Sequence, residues 1–156
     1  MEGFPFQNIL MNRKSYTFLN CTAHSLTEDQ IKMIFEIQNN CNTVELKSEN
    51  PNLHNELMNC PPDEEKMLIL YNQFSKYLLS YLKANKKTKF YIHLPIGSPY
   101  FMALFFSRFP VKKRIEFLFS HTDRESIEEI QEDGRVIKKS VFRFQKFLTL
   151  KRNSLR

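Results

Sequence analysis

The chain has 156 residues, 42% of them hydrophobic, and a formal charge of +6. That is the length and core content of one globular domain: too apolar for a disordered chain, and without the run of roughly 18 apolar residues that spans a membrane. Three scattered cysteines, Cys21, Cys41 and Cys60, form no C-x-x-C pair, which argues against a disulfide framework or a structural zinc site and for a reducing, cytoplasmic setting.

Residues 1–14 lack a hydrophobic period and read as an extension, followed by a single domain over residues 15–150. Residues 15–21 are rich in aromatic and β-branched side chains and predict the first strand. A short loop, Thr22-Ala23-His24-Ser25-Leu26, leads to a capping box in which Thr27 is the N-cap and Gln30 lies three residues on. Ile31, Ile34 and Phe35 mark the buried face of the helix, which should run to about Gln38. Residues 43–46 predict a second strand. Residues 47–62 are polar, contain Pro51, Pro61 and Pro62, and read as a long connection with one turn of helix near residues 53–58. A connection of that length suits a lid or a dimer contact.

Residues 63–84 carry the strongest helical pattern, with Met67, Leu70, Tyr71, Phe74, Leu78, Tyr81 and Leu82 at three- and four-residue steps. Phe90, Tyr91 and Ile92 predict a third, buried strand. His93-Leu94-Pro95-Ile96-Gly97-Ser98-Pro99-Tyr100 then forms a strand–turn–helix junction. Ser98 suits the N-cap and Pro99 the first helical position. Residues 100–106 are apolar on every side and predict a fully buried helix. Pro110 ends it, a basic knot follows at Lys112-Lys113-Arg114, and residues 115–119 predict a fourth strand. A polar loop at residues 120–124 precedes two arms, residues 126–131 and 135–144, joined by Asp133-Gly134, a strong hairpin signal. Acidic residues on one arm oppose basic residues on the other. The basic end of the chain, from Thr149 onward and including a tail at residues 151–156, should fray.

Strands and helices in alternation predict an α/β fold: a small Rossmann-like domain with a mainly parallel sheet flanked by helices and a C-terminal antiparallel hairpin. Its ligand should lie beyond the carboxyl ends of the parallel strands, where the strand order reverses. Two loops would meet there, residues 20–27 and residues 94–100.

No dinucleotide fingerprint, Walker A or nucleophile-elbow pattern is present, and no carboxylate cluster suggests magnesium. No cofactor and no metal are expected. The remaining inventory is hydroxyls, histidines and two helix N-termini, which suits a phosphodiester. His24 is placed to act as an acid or base, and in RNA the attacking group can be the neighbouring ribose 2′-hydroxyl. The plain alternative for His24 is a loop histidine bonded to backbone, and for Ser98 a helix cap. His93 ends a buried strand and reads as core. His54 reads as exposed.

Three stretches taken together resemble small CRISPR-associated ancillary proteins of the Csx type, whose fold is CARF-like. These are residues 19–30 (Leu-Asn-Cys-Thr-Ala-His-Ser-Leu-Thr-Glu-Asp-Gln), residues 94–99 (Leu-Pro-Ile-Gly-Ser-Pro) and residues 133–144, where Asp-Gly leads into a Ser-Val-Phe strand. The resemblance implies a homodimer that binds a cyclic oligoadenylate, most often cyclic tetra-adenylate. It also implies a metal-independent ring nuclease that switches off type III CRISPR signalling. On this basis His24 and Ser98 are the candidate catalytic residues. Thr22, Ser25, Gly97 and Tyr100 are the candidate ligand contacts by the same resemblance, and His121 and Arg124 are added as contacts from the expected polar loop at residues 120–124, which can join the two ligand loops. Neither a membrane nor duplex DNA is an expected partner. Ala23 and the absence of an acidic Gly-Asp-Phe-Gly loop depart from the family pattern. Two alternatives stand beside this reading: a non-catalytic binder that sequesters or senses the messenger, and a structural or RNA/protein interaction module.

Overall fold

The computed structural model describes residues 15–152, so the expected N-terminal extension and residues 153–156 of the tail lie outside the described residues. A five-stranded sheet organises the chain, in the order β2-β1-β3-β4-β5. The strands are β1 (Ser15–Asn20), β2 (Cys41–Glu45), β3 (Thr88–Leu94), β4 (Ile115–Ile130) and β5 (Val136–Leu150). The first four run parallel and β5 is antiparallel to β4. This is the predicted α/β architecture, a mostly parallel sheet flanked by helices and closed by a C-terminal hairpin.

Side chains alternate across the sheet with the two-residue period of a strand. Leu19, Phe90, Ile92, Leu94 and Phe117 point to one face, where they meet three helices in the larger core. These are α3 (Pro51–Met58), α4 (Glu64–Ala84) and α5 (Pro99–Arg108). Phe18, Tyr91 and Leu118 point to the other face and pack with Ile34 of α1 (Glu28–Ile37). Phe105 sits at the centre of the larger core, its ring against those of Phe74, Phe109 and Phe117.

The capping box forms as read: Thr27 accepts from the Gln30 N–H, and the Gln30 side chain accepts from the Thr27 N–H. The long helix is also as expected, with Asp63 as its N-cap. Three local expectations are corrected. The 47–62 connection is not a loop with one turn: α2 (Leu46–Glu49) and α3 fill it. Asn50 caps α3, Pro51 opens it, and Leu46, Leu53 and Leu57 are buried. Helix α5 is buried along one stripe only, at Phe101 and Phe105, while Tyr100 is half exposed. In the basic knot Lys112 and Lys113 are exposed, while the Arg114 guanidinium donates to the carbonyls of Leu82, Asn85 and Thr88 and closes the end of α4. Thr149 and Leu150 belong to β5, and Arg152 donates to Phe106 O at 2.9 Å and to Phe109 O at the end of α5.

The polar loop expected at residues 120–124 does not exist. β4 runs unbroken through it, so the fourth strand and the first hairpin arm are one element. Past residue 121 the β4–β5 pair leaves the helices behind and continues as an exposed two-stranded ribbon. A bulge marks that exit: His121 pairs with Lys146 and Thr122 with Phe144, leaving Gln145 over. Gly134, at φ 84°, makes the turn at the tip. Glu125–Arg143, Glu128–Lys138 and Glu129–Lys139 form the predicted cross-strand ladder.

Candidate functional site

The connections from β1 and β3 diverge: α1 leads outward to β2 and α5 leads the other way to β4. That reversal between two adjacent parallel strands marks their carboxyl ends as the switch point where sheets of this kind take ligands. Loop 20–27 and loop 94–100 flank it, with the Leu94–Pro95 peptide cis.

Three polar residues extend the apolar row Phe18, Tyr91 and Leu118 by two positions each: Asn20, His93 and Ser120. By strand periodicity all three face α1. They are bonded in series. His93 Nδ1 lies 2.9 Å from Asn20 Oδ1, and His93 Nε2 lies 2.6 Å from Ser120 Oγ. The orientation of the Asn20 amide is fixed by its neighbours, because its Nδ2 donates to Glu45 Oε2 at 2.7 Å and to His24 O at 2.8 Å, both acceptors only. Asn20 Oδ1 therefore accepts, His93 Nδ1 carries the proton, and His93 Nε2 accepts from the Ser120 hydroxyl. Gln30 Nε2 in turn donates to Ser120 Oγ at 3.0 Å, so the capping-box residue of α1 reaches the site with its other side-chain atom. Asn20 and His93 are both buried. Burial pushes the His93 pKa down from 6.5 to about 4, so the ring is neutral at pH 7.

The same bonds shape the first loop. The Asn20 carbonyl also takes the Thr22 N–H at 3.2 Å, and Glu45 Oε1 takes the Leu26 N–H at 3.1 Å. Thr22 Oγ1 lies 2.8 Å from Asn20 Oδ1 and 3.1 Å from His24 O, so its hydroxyl is engaged within the loop. His54, expected to be exposed, is half-buried and bonds Thr22 O through Nε2 at 2.9 Å, tying α3 to the loop.

The predicted site residues divide into three groups. Thr22, His24 and Ser25 stand together after β1; His24 and Ser25 are exposed, and the His24 imidazole has no hydrogen bond among the described residues. Gly97 and Ser98 stand after β3, and Ser98 Oγ accepts the Phe101 N–H as the cap of α5. Tyr100 turns toward a groove of about 220 Å³ that it shares with Pro61, Pro62, Asp63, Glu64 and Met67. His121 and Arg124 are not loop residues. His121 begins the ribbon beside Asp123, and Arg124 donates to Ser140 Oγ and lies over the Phe142 ring. At about 3.3 Å per residue, Arg124 is about 13 Å along the strand from Ser120.

Sequence reasoning missed Asn20, His93, Ser120, Gln30 and Glu45 as a unit. The cysteines offer no competing nucleophile: burial pushes the thiols of Cys21 and Cys60 up, and that of Cys41 to about 11. Among the described residues no group of three His, Cys, Asp or Glu side chains gathers for a metal ion, and no helix is long and apolar enough to cross a membrane.

One family model, described as the uncharacterized protein MJ1673 family, matches residues 16–148, which takes in every helix and all but the outermost residues of β1 and β5. No curated protein and no solved structure matches the chain.

Proposed function

The chain belongs to the uncharacterized protein MJ1673 family, and for this member we propose binding of a cyclic oligoadenylate, cyclic tetra-adenylate first, at the carboxyl ends of β1 and β3, with metal-independent opening of the ring. One observation carries the proposal. The two stretches that resemble Csx-type proteins at residues 19–30 and 94–99 are 64 positions or more apart in sequence, yet they come together at the carboxyl ends of two adjacent parallel strands. The amino ends of α1 and α5 follow these loops; that of α5 has no acidic residue in its first turn and favours a phosphate oxygen, whereas Glu28 and Asp29 offset the dipole of α1.

In this reaction the ribose 2′-hydroxyl attacks the adjacent phosphorus in line. The new 2′-O–P bond forms as the P–O5′ bond breaks, leaving a 2′,3′-cyclic phosphate and a 5′-hydroxyl. Positioning provides much of the rate, because the nucleophile is part of the substrate. His24, exposed in the first loop with a free imidazole, suits proton transfer. Ser98 and Thr22 suit grip: their hydroxyl oxygens already serve the α5 cap and the first loop. A homodimer would present both loops twice to a two-fold symmetric ring.

That engagement of Ser98 and Thr22 also favours a second reading, in which the protein holds the messenger without cutting it. Incubation with radiolabelled cyclic tri-, tetra- and hexa-adenylate in EDTA separates the two. The first reading predicts linear products ending in 2′,3′-cyclic phosphate, slowed about 10²-fold or more in His24→Ala. Ring recovered whole from a tight complex supports sequestration. Neither binding nor cleavage of any ring size overturns both.

A further inference from the structure

Asn20, His93 and Ser120 come from three neighbouring strands and are joined by hydrogen bonds in the sense a nucleophile needs. The serine hydroxyl points its proton at an unprotonated ring nitrogen. The opposite nitrogen is held protonated by an amide oxygen whose orientation Glu45 and His24 O fix from behind. A nucleophile, a base and a group that orients the base, within hydrogen-bond reach of one another, is the arrangement of a nucleophilic triad, with asparagine as its third member. Two further features bear on Ser120. Its oxygen receives the Gln30 Nε2–H, which helps to fix the position of the hydroxyl. Ser120 is only partly buried, whereas Asn20 and His93 are buried and the His93 ring lies against those of Phe18 and Phe147.

We propose that Ser120 is a nucleophile toward electrophilic phosphorus, with His93 as its base and Asn20 as the residue that sets the tautomer of that base. Phosphorus is the favoured electrophile because a serine oxygen bonds it readily and the net charge of +6 suits an anionic substrate, although Glu28 and Asp29 offset the dipole at the near end of α1. In the step, Ser120 Oγ bonds phosphorus and its proton passes to His93 Nε2. The P–O bond to the leaving group breaks, and the departing oxygen takes the proton from His93. Water then cleaves the phosphoseryl ester and regenerates Ser120. The proposal is independent of the messenger reading, since it concerns the hydroxyl and requires no nucleotide.

The test uses an alkyl fluorophosphonate on the full chain at pH 7.5, read by intact mass and peptide mapping. Ser120 Oγ displaces fluoride, and the expected result is one adduct per chain, on the peptide carrying Ser120. Ser120→Ala abolishes the adduct, and His93→Gln slows it at least tenfold with the thermal midpoint recorded alongside. In Asn20→Ala, ¹⁵N spectra of His93 should show a mixture of tautomers in place of the single Nδ1-protonated form, and labelling should slow. An unlabelled Ser120 in the folded wild-type chain overturns the proposal, as does labelling of folded His93→Gln at the wild-type rate. Intact cyclic oligoadenylate beside a labelled Ser120 would refute the ring-nuclease reading and leave this one standing.

Discussion

Acid should destabilise this protein through His93, by an amount the structure sets. In the unfolded chain the imidazole titrates at its ordinary 6.5, whereas in the fold burial holds it near 4. Between those values the unfolded state binds the proton and the native state does not, so stability falls as pH drops below 6.5 and the loss is complete near pH 4. A tenfold difference in proton affinity is about 1.4 kcal/mol, so the gap corresponds to about 3 kcal/mol. Carboxylates also titrate in this range, and His93→Gln removes the histidine contribution while leaving theirs. Urea unfolding of both proteins at pH 7, 6, 5 and 4 gives the comparison. The stability of wild type relative to His93→Gln should decline by about 3 kcal/mol from pH 7 to pH 4. Parallel pH curves would refute the reasoning and mean that the imidazole is solvated or charged in the fold.

Phe105→Ala should destabilise by about 3–5 kcal/mol, because a fully buried ring packed against Phe74, Phe109 and Phe117 leaves a cavity; a loss below about 1 kcal/mol in urea unfolding would contradict the packing described. Thr27→Ala should cost about 1 kcal/mol by removing the cap of α1. It should also loosen Gln30 and so slow Ser120 labelling, whereas unchanged labelling would show that Gln30 needs no capping box to reach the site.

Much of the fold was legible because it obeys local rules. The capping box at Thr27, the apolar stripe of α4 and the Asp133-Gly134 turn each depend on residues within a few positions of one another. β4 was misread as strand, loop and strand for a physical reason. From residue 121 both of its faces meet water, so the alternation that reveals a half-buried strand disappears. Helices α2 and α3 were obscured by Pro51, which looks like a break but occupies the first helical turn behind an Asn50 cap. The pair of loops at the switch point was foreseen from the alternation of strands and helices. The Asn20–His93–Ser120 series was not, since its members are 73 and 27 positions apart and meet only through the β1–β3–β4 register. A signal existed: each lies two residues after an apolar residue, Phe18, Tyr91 or Leu118, that faces the same side of the sheet, and Asn20 pairs with His93 while His93 pairs with Leu118. Reading it required the strand order.

The central claim is that the site at the carboxyl ends of β1 and β3 takes a cyclic oligoadenylate. Calorimetric titration of cyclic tetra-adenylate into the His24→Ala chain, in EDTA so that binding is read without turnover, tests it most directly. Saturable binding at one ring per two chains is expected, weakened at least tenfold by adding Gly97→Asp, which sets a carboxylate where phosphate should lie. Absence of saturable heat with the cyclic tri-, tetra- and hexa-adenylates, from a protein shown to be folded, would contradict it.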